Sequence, residues 1–248
     1  MERLDRKELI LNGNIYKVIG ILSLPIMLNN FIQTLYNLAD AVWVSRLGSV
    51  EFAATSFVWP VLFLFISLGI GISIAGTSIL SQLIGASEYK KANKYANQLM
   101  VVSLIFSLCF SNLGYILSPY IIKLMGGTGD LAKYSNIYLR ISFIGFPFVF
   151  LYFGFNSIMH AQGNTITPTI FSAISAIINV ILDPIFIFNL NMGVAGAAMA
   201  TVISQALLIF AGIYMLKNKS PLIRLNFRKF KFNKNMLKKI IEIGLPST

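Results

Sequence analysis

Six long apolar runs constrain this chain more than any other feature. They cover approximately residues 17–45, 52–84, 97–118, 136–160, 166–188 and 194–216. The hydrocarbon core of a bilayer is about 30 Å thick, and a helix crosses it with roughly 20 apolar residues. Every run meets that length. None shows the residue-by-residue alternation of a barrel strand, which excludes a transmembrane β-barrel. Composition agrees, with 56% hydrophobic and only 12% charged residues and a mean hydropathy of +0.74, where a soluble domain carries roughly a quarter charged residues. The chain therefore reads as an all-α membrane protein built on a six-transmembrane-helix bundle. Breaker and polar residues separate the runs: Gly48, Gly85-Ala86-Ser87, Gly126 to Gly129, Gly163-Asn164-Thr165, and Asn189 to Gly193. Runs four and five are only a few residues apart and are expected to be antiparallel neighbours.

The net charge is +11, a value that elsewhere points to nucleic acid. Here the basic residues lie in the short connections between apolar runs, so no nucleic-acid partner is expected; the bilayer is the partner. Counting Lys and Arg near helix ends sets the orientation. One side collects Arg3, Arg6, Lys7, Lys17, Lys90, Lys91, Lys94, Lys217, Lys219, Arg224, Arg228, Lys229, Lys231, Lys234, Lys238 and Lys239, sixteen in all. The other has four: Arg46, Lys123, Lys133 and Arg140. The amino terminus and the segment after 216 are thus expected in the cytoplasm, in a multi-pass protein of the plasma (inner) membrane. The run Arg224 to Lys239 either fixes topology or binds a partner or anionic lipid.

On this reading residues 1–16 form a cytoplasmic segment and 17–216 a transmembrane lobe. Residues 217–237 form a basic cytoplasmic linker. The first apolar run exceeds the ~7–15 residues of a signal core, so the first helix is expected to be retained. Lys238-Lys239-Ile240-Ile241-Glu242-Ile243-Gly244-Leu245-Pro246 echoes Lys17 through Pro25, with lysine, isoleucine, leucine and proline at matching positions. Residues 238–248 therefore read as the start of a second, truncated lobe, in the manner of transporters built from repeats. The single cysteine, Cys109, lies in an apolar run and permits neither an intrachain disulfide nor a cysteine metal cluster.

Two carboxylates, Asp40 and Asp183, lie well inside the apolar runs, where a charge costs about 2.5–3.5 kcal/mol on insertion scales. Neither has a basic partner one turn away. On the first helix Asn29, Gln33, Tyr36 and Asp40 recur at three- and four-residue steps, broadened by Asn30, Thr34 and Asn37. Ser172, Ser175, Asn179 and Asp183 form a second polar stripe. Thr201, Ser204 and Gln205 form a third, and Tyr152, Asn156 and His160 a shorter one. Polar faces in lipid turn inward, toward one another or a water-filled cavity. A polar chamber inside the bundle follows.

Pro184 has no N–H to donate, so the carbonyl of Val180 loses its helical partner. That oxygen, beside Asn179 and Asp183, is of the hard kind that Na⁺ accepts. Pro25 weakens the first helix in the same way, as a kink or as a hinge. Gly193, Ala197 and Thr201, with Gly196, Ala200 and Ser204, permit close helix packing. Two carboxylates in one dry chamber disfavour double ionisation, so the pair holds a proton or a monovalent cation. The alternative is a structural carboxyl, either buried and hydrogen-bonded between helices or interfacial and reaching water. No nucleophilic triad, metal spacing or phosphate loop occurs, so the chain is not expected to be an enzyme, and no cofactor is implied beyond H⁺ or Na⁺ as coupling ion. Gly69-Ile70-Gly71 lacks the strand context of a dinucleotide site and reads as helix packing.

The residues carry a resemblance. Leu24-Pro25 through Asp40 with Val44-Ser45-Arg46-Leu47-Gly48, the turn Ala161-Gln162-Gly163-Asn164-Thr165, Asn179 through Pro184, and Gly193 through Ala198 together resemble the amino-terminal half of the multidrug and toxic compound extrusion (MATE) transporters, in their bacterial branch related to the DNA-damage-inducible subfamily. The resemblance implies one lobe of a twelve-helix exporter whose two six-helix lobes flank a central cavity. It implies a cation-coupling site at Asp40, Asn179, Asp183 and Thr201, with Tyr36 beside it and Na⁺ as a possible occupant. It places Gln33, Tyr36 and Asn156 in the substrate cavity. His160 stands where the family usually carries arginine. The carboxyl lobe of the transporter is then the missing partner, and this chain is not expected to transport alone unless two copies pair.

The function so implied is antiport: small lipophilic or cationic compounds leave in exchange for H⁺ or Na⁺. A flippase of lipid-linked saccharides is the rival within related folds, but calls for a chamber rich in Lys and Arg. A non-transporting membrane assembly factor would leave Asp40 and Asp183 without purpose.

Overall fold

The computed structural model describes residues 14–218, 222–227 and 230–247. Arg3, Arg6, Lys7, Lys219, Arg228, Lys229 and Thr248 lie outside the described residues, as does most of the expected segment 1–16. Six helices are long and apolar enough to cross a membrane. They are α1 (Ile15–Ser45), α2 (Ser49–Gly85), α3 (Tyr89–Leu124), α4 (Gly129–Ala161), α5 (Ile166–Pro184, continued by a π-helical turn Ile185–Asn189) and α6 (Val194–Asn218). A shorter α7 (Lys234–Gly244) ends in the 3₁₀ turn Leu245–Ser247. No strand occurs among the described residues.

Most helices outrun the apolar runs that announced them. α3 begins at Tyr89 rather than 97 and α4 at Gly129 rather than 136. Hydropathy reports only the lipid-facing portion, whereas a helix keeps its backbone hydrogen bonds into the interface at no penalty. The turns fall where the breakers predict. Gly163 adopts φ +71°, and there Gly163 N–H donates to His160 O at 2.9 Å and Asn164 N–H to Met159 O at 3.0 Å, closing the end of α4. Asn164 Oδ1 then accepts from Thr167 N–H at 3.1 Å and starts α5.

α4 is the hub, packed against α2, α3 and α6, while α1 packs mainly on α5. Lipid is as apolar as leucine, so close fit rather than the hydrophobic effect holds such helices together. Phe143, Phe146 and Phe150 of α4 are buried; Phe65 meets Phe143 edge-on with centroids 5.2 Å apart. Glycines let backbones approach: a Cβ on Gly196 would stand 2.6 Å from the carbonyl of Phe186, and one on Gly69 2.6 Å from the Phe153 ring. Ala197 and Ala200 beside Gly196 are fully buried, so the small-residue stripe of α6 and the Gly69-Ile70-Gly71 motif both serve packing.

The expected pairing of runs four and five needs correction. α4 and α5 meet at their shared end, where Tyr152 Oη donates to Pro168 O at 3.3 Å and Phe155 and Phe171 pack edge-on. Beyond that they part, and α5 lies mainly against α1 and α6. A polar cavity occupies the opening between them.

The stretch expected as a basic cytoplasmic linker over 217–237 is shorter than those bounds, and it is held against the bundle. α6 runs to Asn218 and α7 starts at Lys234. Ile223, Leu225 and Ile240 are buried in the core built by α2, α3, α4 and α6. Amide side chains of α3 hold the chain between: Asn93 Oδ1 accepts from Arg224 N–H at 2.7 Å and Asn97 Oδ1 from Asn226 N–H at 2.9 Å. Gln98 binds Asn233 twice, accepting its N–H at 2.9 Å and donating to its carbonyl at 2.6 Å.

Candidate functional site

Asp40 lies near the end of α1, Asp183 near the end of α5 and Thr201 near the start of α6, so all three reach the same end of the bundle, opposite the linker. Pro184 ends the α-helical part of α5, and the backbone widens there into the π-turn Ile185–Asn189. Lack of a donor at Pro184 is the local cause.

At that level three helices join. Tyr36 Oη and Thr201 Oγ1 lie 3.1 Å apart. Asn179 Nδ2 donates to Asp183 Oδ1 at 3.3 Å and approaches Thr201 Oγ1 at 3.4 Å. Asn179 and Asp183 are fully buried. Asp40 and Asp183 lie within electrostatic range of each other. Three buried oxygens here have no hydrogen-bond partner: Asp40 Oδ1, Asn179 Oδ1 and Asp183 Oδ2. Leaving such groups unmade costs about 1–3 kcal/mol each. The cluster is thus rich in acceptors and short of donors among the described residues.

Two cavities adjoin it. One, of about 460 Å³, is lined by Asp40, Tyr36, Gln33, Tyr138, Ser142 and Thr201 among others. The second, of about 410 Å³, is lined by Asn29, Gln33, Tyr36, Tyr152, Asn156, Ser172 and Ser175. Gln33, Tyr36, Asn37, Trp59 and Gln205 border both, so the two form neighbouring parts of one chamber. Asn29 and Asn156 each hold a buried carbonyl oxygen without a partner. Among the described residues no Lys or Arg lines either cavity.

The stripes read from sequence converge with two exceptions. Thr34 is exposed and its hydroxyl turns back to Asn30 O at 3.0 Å, leaving the chamber. His160 lines neither cavity. Tyr138, Ser142 and Trp59 were missed. Tyr138 belongs to the cluster, with Asp40, Tyr36 and Asp183 all within electrostatic range of its hydroxyl. Its signal was present: Tyr138, Ser142, Val149, Tyr152 and Asn156 continue one face of α4 at helical steps. Trp59 had none, being one aromatic in an apolar run.

Comparisons with known proteins place the chain in a family. The MatE family model matches residues 25–185. The chain is 30% identical over 238 residues to the probable multidrug resistance protein YpnP of Bacillus subtilis, covering 95% of this chain and 53% of that protein. It is 29% identical over 236 residues to the multidrug export protein MepA of Staphylococcus haemolyticus, covering 95% and 52%. A solved MOP-superfamily transporter from Pyrococcus furiosus superposes with a TM-score of 0.91 at 31% identity, over 96% of this chain and 53% of that one. The chain belongs to the MatE family of membrane transporters. It spans about half the length of the curated relatives it matches.

Proposed function

We propose that this chain forms the amino lobe of a secondary antiporter that exports lipophilic or cationic compounds in exchange for H⁺ or Na⁺. The observation that carries this reading is the trio of partnerless buried oxygens on Asp40, Asn179 and Asp183. A bound cation satisfies them on one side of the membrane, and its release on the other makes the cycle directional. Asp40 and Asp183 supply charge, Asn179 and Thr201 neutral oxygens, and Tyr36 ties the cluster to the chamber wall. This set suits a proton, or Na⁺ with its preference for oxygen ligands. Gln33, Tyr36 and Asn156 offer polar contacts to the exported compound, and aromatic walls such as Trp59 offer a face for a cation. The multidrug names of the relatives support this substrate class. In this reading the lobe sits in the plasma membrane with its amino terminus in the cytoplasm, and a carboxyl lobe completes the pathway.

A chamber without Lys or Arg argues against a lipid-linked saccharide as cargo, since a diphosphate asks for cations. A membrane assembly role leaves the buried carboxylates unexplained. The test is dye efflux from cells expressing a transporter that carries this lobe together with a carboxyl lobe. Asp40→Asn and Asp183→Asn are expected to abolish efflux while insertion and expression stay normal. Unimpaired efflux by either variant rejects the coupling role.

A further inference from the structure

Arg140 is a cation well inside α4, on the side of that helix facing α3, away from the chamber. Its guanidinium carbon stands 4.9 Å from the centre of the Tyr115 ring, and its Nε is buried without a hydrogen-bond partner. Among the described residues no carboxylate lies within ion-pair distance of it. The acids at this end of the bundle, Glu51 and Asp130, gather instead about Tyr134.

α4 has 33 residues, about 50 Å of helix at 1.5 Å per residue, against a hydrocarbon core of about 30 Å. Arg140 is eleven positions after Gly129, which centring places about 7 Å inside the hydrocarbon edge. Side chains on a helix tilt toward its amino-terminal end, so Arg140 leans toward the nearer interface, within snorkelling reach. Along the same line lie Asn136 and Lys133, at helical steps of four and three. Ser118 Oγ donates to Asn136 Oδ1 at 2.7 Å, which leaves the Asn136 amide as a donor. Lys133 is exposed. One turn deeper along α4 the surface is apolar, with Ile144 52% exposed.

We propose that Arg140, Asn136 and Lys133 form a binding site for the phosphate headgroup of an anionic phospholipid, in the leaflet at the end of the bundle opposite the linker. Arg140 and Lys133 neutralise the phosphodiester, Asn136 donates between them, and the acyl chains run inward past Ile144. The guanidinium suits this task because its fork of donors matches two phosphate oxygens. Tyr115 holds the guanidinium by cation–π contact. The site is independent of the chamber and of the antiport reading.

The test is lipid retention by the full chain purified in dodecyl maltoside, read by native mass spectrometry after adding phosphatidylglycerol, phosphatidylcholine or inorganic phosphate. Phosphatidylglycerol is expected to be retained by the wild type and about tenfold less by Arg140→Gln, the loss of a bidentate charge-assisted contact. Lys133→Gln, an exposed change that leaves packing intact, is expected to retain visibly less than wild type. Should Arg140→Gln fail to fold, the Lys133→Gln comparison decides. Undiminished phosphatidylglycerol retention by the variants overturns the site, as does equal retention of phosphatidylcholine by the wild type. Inorganic phosphate adducts as abundant as those of the lipid assign the pocket to a free anion and overturn the lipid assignment.

Discussion

Tyr36 and Thr201 meet at 3.1 Å although 165 residues separate them. Their contact joins α1 to α6, two helices that otherwise touch little. Because Asn179 also approaches Thr201 Oγ1, at 3.4 Å, one hydroxyl binds three helices at the level of the carboxylates. The cluster is therefore a structural joint as well as a candidate cation site.

Thr201→Val keeps the shape and removes the hydroxyl. The change is expected to cost about 1–2 kcal/mol of stability, the loss of two modest hydrogen bonds. Tyr36→Phe is expected to cost less, and the double variant less than the sum, since both remove the same bond. Thermal unfolding of the purified chain in detergent measures this. Strictly additive losses mean that the Tyr36–Thr201 contact does not form.

Gly196 stands where α6 presses on the backbone of Phe186 and Ile187. A methyl group there meets main-chain atoms that cannot rotate away. Gly196→Ala is expected to destabilise the lobe by about 1–3 kcal/mol, in the range of overpacked cores. A melting temperature equal to that of the wild type is the contrary result.

Gln98 is nearly inaccessible and satisfies both backbone groups of Asn233. Gln98→Leu removes the partner of that N–H and one of the two donors to that carbonyl, the other being Leu237 N–H, at roughly 0.5–1.5 kcal/mol per bond lost. Trypsin is then expected to cut at Lys231 and Lys234 markedly faster than in the wild type, while cleavage at Lys90 and Lys91 stays unchanged. Equal rates at Lys231 and Lys234 mean that the Gln98–Asn233 bonds do not hold this segment.

Much of this architecture was legible because lipid imposes two simple demands: length of apolar helix and inward turning of polar faces. The spans, the turns and the convergence of the Asp40 and Asp183 stripes follow from those alone. Packing partners did not follow. The short connection between runs four and five predicted close neighbours, yet the polar faces of Tyr152–Asn156 and Ser172–Ser175 open a cavity between them. Thr34 satisfied the spacing rule but bonds to its own backbone, a choice that periodicity cannot register. The amide ladder of Asn93, Asn97 and Gln98 was hidden because its partners are main-chain groups, which carry no sequence signal.

The central claim is that Asp40 and Asp183 jointly hold one exchangeable cation. Infrared difference spectroscopy of the purified chain tests it most directly, comparing Na⁺-free buffer at neutral pH with alkaline or Na⁺-containing buffer. The expected result is a protonated-carboxyl band in the wild type that disappears on raising pH or adding Na⁺, and that is absent or pH-shifted in both Asp40→Asn and Asp183→Asn. No such band in the wild type under any of these conditions, or a band untouched by both substitutions, contradicts it.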